Sequence, residues 1–201
     1  MTLRYLALGD SYTIGEAVAE SERWPVRLAA LLAERGIEIE PPMIVAQTGW
    51  TTDELAAGID AAAPEGPFDL VSLLIGVNNQ YRGLEASDYG VELCVLLHRA
   101  VELAGGRPGR VIVVSIPDWG VTPFAEGRDR AEIAAAIDRF NAVAAEEASR
   151  AGARFVDITP GSRRAAEDPQ LVASDGLHPS GAMYEEWARA AVDEAAAALE
   201  R

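Results

Sequence analysis

The sequence predicts an α/β fold, a three-layer α/β/α sandwich around a parallel sheet of five strands, with residues 1–201 forming one domain. Three observations predict it. Five short apolar runs recur along the chain, segments of helical period separate them, and glycine or proline stands at most of the junctions. Parallel neighbours need long crossovers and helices supply them, so strand–helix alternation implies a sheet covered on both faces. A chain of 201 residues, 49% of them apolar, suffices for one complete core and is short for two.

Leu3 to Leu8 reads as the first strand, and Gly9-Asp10-Ser11 gives it a sharp exit. Trp24-Pro25 opens a helix whose Val26, Leu28, Ala29, Leu31 and Leu32 face inward; Pro25 is tolerated in the first turn and Gly36 ends the segment. A strand follows near Met43 to Ala46. Thr51 and Glu54, three residues apart, predict a capping box for a helix reaching about Ala62. Asp69 to Ile75 is a continuous apolar run, as expected of a central parallel strand buried on both faces, and it ends at Gly76. A helix over about Ser87 to Ala104 closes at Gly105-Gly106, and Arg110 to Ile116 is another strand. Arg130 to Arg150 is a long helix stopped by Gly152, Arg154 to Ile158 the last strand, and Ser180 to Leu199 an alanine-rich final helix.

Composition narrows the function. A formal net charge of -15 with no basic run opposes nucleic acid and anionic lipid as partners. No apolar run is long enough to span a bilayer, and the first residues lack the pattern of an export signal, so a soluble cytoplasmic protein is expected. All basic residues are arginines; without lysine, Schiff-base chemistry and the lysine-dependent phosphate loop are excluded. Cys94 is the one cysteine and there are two histidines, too few for a disulfide or for a cluster of metal ligands, so no metal or organic cofactor is expected.

Ligands of parallel sheets collect beyond the carboxyl ends of the strands. Gly9-Asp10-Ser11-Tyr12, Gln47-Thr48-Gly49 and Gly76-Val77-Asn78-Asn79 follow the first three strands, and Asp175-Gly176-Leu177-His178-Pro179 precedes the final helix. A serine hydroxyl becomes a nucleophile when an imidazole takes its proton and a carboxylate fixes the imidazole's tautomer. His178 can be that imidazole, since His98 lies mid-helix with no catalytic grouping nearby. Asp175, three residues earlier on one short loop, can hold its far nitrogen. An oxyanion needs preorganised donors, which the amides of Ser11 and Gly49 and the side chain of Asn78 can offer; at position 49 a missing side chain also permits close backbone approach.

Taken in order, Gly-Asp-Ser, Gly49, Gly-x-Asn and Asp-x-x-His resemble the blocks of the GDSL, or SGNH, hydrolases over nearly the whole chain. The resemblance implies Ser11 as nucleophile, Asp175 and His178 as the rest of a triad, an oxyanion hole of Ser11, Gly49 and Asn78, and a flavodoxin-like sheet. One departure is Asn79, where that family commonly has aspartate. Singly, each block is a common turn or helix entry; four in order at strand exits point to a carboxylic ester hydrolase acting on a small-molecule ester.

Trp50, Tyr81, Trp119 and Phe124 follow the same exits and, with Asn79, are candidates to contact substrate, although loop aromatics also simply cover cores. Arg82 can meet an anionic substrate and Arg163-Arg164 a phosphate, or each can form a surface ion pair. Asp10 is expected to brace the turn around Ser11. Two rivals fail on residues: no Gly-x-Ser-x-Gly elbow is present, and neither glycine-rich nucleotide fingerprint occurs. Short acyl esters are the expected substrates, with lysophospholipids or thioesters as alternatives, and a noncatalytic carbohydrate- or lipid-binding module is the rival from another class.

Overall fold

The computed structural model describes residues 2–200. In chain order the elements are β1 (Tyr5–Gly9), α1 (Ser11–Ile14), α2 (Trp24–Glu34), β2 (Met43–Ala46), α3 (Thr52–Ala62), β3 (Leu70–Leu74), α4 (Val77–Tyr81), α5 (Ala86–Leu103), β4 (Val111–Val114), α6 (Arg130–Ala151), β5 (Arg154–Val156), α7 (Thr159–Ser162) and α8 (Gly181–Leu199). The five predicted strands and five long helices are present with ends shifted by a few residues. The short helices α1, α4 and α7 are additions, since four or five residues carry no helical period to read.

The strands form one parallel sheet in the order β2-β1-β3-β4-β5, the flavodoxin-like arrangement. Helices α2 and α8 pack together over one face, and α3, α5 and α6 over the other. Every residue of β1, β3 and β4 is buried, while edge strands β2 and β5 are only partly covered. That pattern explains why the central strands read as unbroken apolar runs. Trp24 and Trp187 are almost fully buried, one on α2 and one on α8.

Chemistry at the helix ends agrees with the sequence. The Ser180 hydroxyl caps α8 by accepting from the Met183 amide at 3.4 Å, and Gly152 closes α6 in the left-handed conformation. At α3, Glu54 Oε2 accepts from the Thr51 amide at 2.9 Å, one arm of the expected box, while the Thr51 hydroxyl bonds the side chains of Asp53 and Glu54.

Candidate active site

Sheet register assembles the site. Gly9 of β1 stands opposite Ala46 of β2 and Leu74 of β3, so three neighbouring strands end at one level and their exit loops lie side by side. This is the point where strand order reverses, and such sheets hold ligands in the crevice there. A cleft of about 160 Å³ occupies it. Ser11, Thr48, Gly49, Asn78 and His178 supply its polar part; Tyr12, Val77, Tyr81, Trp119, Phe124 and Leu177 supply the rest.

Ser11 is the first residue of α1, and Asp10, just before it, caps the helix by accepting from the Tyr12 amide at 3.0 Å. Asp10 thus braces the turn as expected. Its carboxyl is wholly buried, and this burial, only partly offset by the Tyr12 amide, pushes its pKa up to about 7. α1 can lie close against the strand end because Gly9 has no side chain; a Cβ there would collide with Thr13 Oγ1 and the Leu74 carbonyl oxygen.

The loop before α8 is built around Asp175. Its Oδ1 accepts from the amides of Leu177 and His178, both at 2.9 Å, and its Oδ2 meets His178 Nδ1 at 2.6 Å. The loop is closed by the Ala173 amide donating to the His178 carbonyl at 2.7 Å and by a bridge between Val172 and Pro179. Burial favours the neutral form of Asp175, but these three hydrogen bonds outweigh it and hold the carboxyl below its usual range. Tyr12 packs edge-on against the His178 ring, with centroids 5.5 Å apart. Ser11 and His178 line one cleft without a direct hydrogen bond between their side chains among the described residues, and contacts of this kind commonly tighten around a bound substrate.

Gly49 adopts φ +86°, with open space where a side chain would start, so its backbone conformation already accounts for glycine. Asn78 Nδ2 donates to the Trp50 carbonyl at 2.9 Å and lies 3.4 Å from Asp10 Oδ2. The second contact is the longer and weaker of the two.

Two residues expected to contact substrate lie elsewhere. Asn79 is fully buried: its Oδ1 accepts from the Thr52 amide at 3.2 Å, and its Nδ2 donates to Thr52 Oγ1 at 2.7 Å and Glu92 Oε2 at 3.3 Å. It ties α4 to α3 and α5, and its amide donates to the Glu92 carboxylate where an ionised aspartate could only repel it. The Trp50 ring packs over Gly58 of α3, so only its backbone borders the site.

Tyr81, Trp119 and Phe124 do line the cleft, as one aromatic wall with edge or tilted contacts at 5.4–6.1 Å. Trp119 Nε1 donates to Gln80 Oε1 at 2.8 Å. Sequence reasoning missed Arg128, whose guanidinium lies 5.2–5.4 Å from all three ring centroids and donates to the Tyr81 hydroxyl at 3.2 Å. It also passed over Val77 and Leu177, whose signal was adjacency to Asn78 and His178.

The remaining arginine candidates form ion pairs. Arg163 pairs with Asp118 and Asp138, Arg164 with Glu186, and Arg82 with Glu54. His98 Nδ1 stays local, 2.8 Å from the Cys94 carbonyl on α5. No group of three or more histidine, cysteine, aspartate or glutamate side chains suited to a metal occurs among the described residues. No helix there is long and apolar enough to cross a membrane.

Sheet order and switch-point cleft together define a flavodoxin-like α/β/α protein with a ligand crevice. Residues 7–186 match the GDSL-like Lipase/Acylhydrolase family; the chain belongs to that family, and with it to the ester hydrolases. It is 28% identical over 186 residues to the GDSL lipase Rv0518 of Mycobacterium tuberculosis, covering 89% of this chain and 75% of that protein. Among solved structures it superposes on TesA with a TM-score of 0.76 at 20% identity, over 98% of this chain and 99% of that one. The esterase EstA from Pseudoalteromonas sp., inhibited by monoethylphosphonate, gives 0.73 at 16% identity over 98% and 99%. Axe2, an acetylxylan esterase from Geobacillus stearothermophilus, gives 0.72 at 21% over 96% and 94%. These three likenesses establish the fold.

Proposed function

We propose that the protein hydrolyses carboxylic esters of small acyl groups through an acyl-Ser11 intermediate. The observation that carries this reading is the 2.6 Å contact between Asp175 Oδ2 and His178 Nδ1, with the imidazole and Ser11 lining one cleft. Bound through Nδ1, the ring has Nε2 left to work on the serine proton. Ser11 Oγ attacks the acyl carbon as its proton passes to His178. The carbonyl oxygen becomes an oxyanion that the amides of Ser11 and Gly49 and the side chain of Asn78 stabilise. His178 then returns the proton to the departing alcohol as the ester C–O bond breaks. Water, deprotonated by the same imidazole, attacks the acyl-enzyme and releases the acid and Ser11.

A cleft of about 160 Å³ walled by Val77, Tyr81, Trp119 and Phe124 suits a short acyl or compact aryl group. Lysophospholipids and long-chain thioesters are the competing substrates, and a chain-length series of p-nitrophenyl esters and acyl thioesters separates them. A fluorophosphonate probe should label the wild-type protein once, at Ser11, and label Ser11→Ala not at all. A folded wild-type protein that resists the probe would instead support a binding module on this fold.

A further inference from the structure

Gly49 has no side chain through which packing could hold it. It sits at φ +86°, nothing lies within 4 Å of the position its Cβ would take, and glycine is the residue with most backbone freedom to lose. Yet an oxyanion donor acts only if it is already aimed before charge develops. Hydrogen bonds must therefore fix this loop, and the two carbonyls that follow the Gly49 amide are both held from one short segment. Arg82, the residue after α4, donates from Nη2 to the Gly49 carbonyl at 2.7 Å, and Asn78 in α4 donates to the Trp50 carbonyl at 2.9 Å. Positions 78 and 82 are four apart, so they share one face of the turn.

Arg82 is itself held. Glu54 in the first turn of α3 receives both of its terminal nitrogens, at 3.1 and 3.3 Å. The guanidinium joins the start of one helix to the end of another with the Gly49 carbonyl between them, and its rigid fork allows it to serve both partners at once.

We propose that Arg82 is a positioning residue for ester hydrolysis, a tether that holds the Gly49 carbonyl and so restricts the turn from which the Gly49 amide is aimed at the oxyanion, with Glu54 as its anchor. The inference rests on the ester-hydrolase mechanism given above. Arg82 and Glu54 are each about half exposed, and such pairs contribute little to folding, so removing the pair should leave the fold intact. A donor displaced by about 1 Å, in contrast, costs on the order of a hundredfold in rate.

The test compares wild type, Arg82→Ala, Arg82→Lys and Glu54→Gln with p-nitrophenyl acetate as substrate and phenylboronic acid as a tetrahedral mimic on Ser11. Arg82→Ala should lose about 10- to 100-fold in kcat while KM stays within about threefold, and boronate affinity should fall by a similar factor. Lysine keeps one charged donor and should restore part of the loss. Glu54→Gln, which keeps an acceptor for the Thr51 amide and so preserves the start of α3, should show a smaller loss of the same kind. An active wild type whose Arg82→Ala variant keeps its kcat, or loses kcat with undiminished boronate affinity, overturns the tether. A wild type without turnover overturns ester hydrolysis itself.

Discussion

At the scale of single residues, the site separates two carboxylates, the buried Asp10 and the more exposed Asp175, by their surroundings. Asp175 receives two amides and an imidazole and stays ionised, whereas Asp10 has one short amide contact and no solvent exposure, which favours its protonated form. Because the folded pKa of Asp10, about 7, lies above its unfolded value of about 3.9, the unfolded chain gives up this proton first. The group therefore lowers stability as pH rises from about 4 to about 7, and the loss is complete above that window. Asp10→Asn should raise the melting temperature more at about pH 8 than at about pH 5. An equal shift at both values would contradict a pKa raised by the folded interior. The contacts of Asp10 and Asp175 were legible because each sits within three residues of its partner. Those of Asn79 and Arg128 were not, since their partners Thr52, Glu92 and the aromatic wall are brought to them only by folding.

At the scale of elements, the site depends on strand ends at one level and on helices that begin immediately after them. The long elements were readable from period and capping chemistry, and Met43–Ala46 was placed to the residue. The short helices that carry Ser11 and Asn78 were not, and the sequence showed them only as loops. Gly9 joins the two levels of description: it reads as a turn signal, but the structure shows it as the spot where α1 touches the sheet. Gly9→Ala should destabilise the fold by about 1–3 kcal/mol or more, as overpacked sites do, and should displace Ser11 along with α1. Urea denaturation and fluorophosphonate labelling check the two effects; a variant with unchanged midpoint and labelling would show that α1 is free to move aside.

For the whole molecule, the acidic balance stands apart from the fold. Fold class was legible from the alternation of apolar runs alone, because central strands of a parallel sheet bury both faces and cannot hide that in the sequence. The net charge of -15 did not enter that reading, and its effect is on the energy of the compact state. Many arginines are paired with carboxylates, yet acidic groups far outnumber them, so the surface repels itself. Raising NaCl from about 0.01 M to about 1 M shortens the Debye length from roughly 30 Å to 3 Å and should raise the melting temperature. A fall in melting temperature would mean that the ion pairs outweigh the repulsion.

The hydroxyl of Ser11 and the imidazole of His178 stand near opposite ends of the described chain. A ribosome makes the alcohol before the fifth strand and the ring only after it. On the proposed mechanism, the nascent polypeptide carries throughout that interval a serine without its base, and a product terminated before His178 would be inert as well as incomplete.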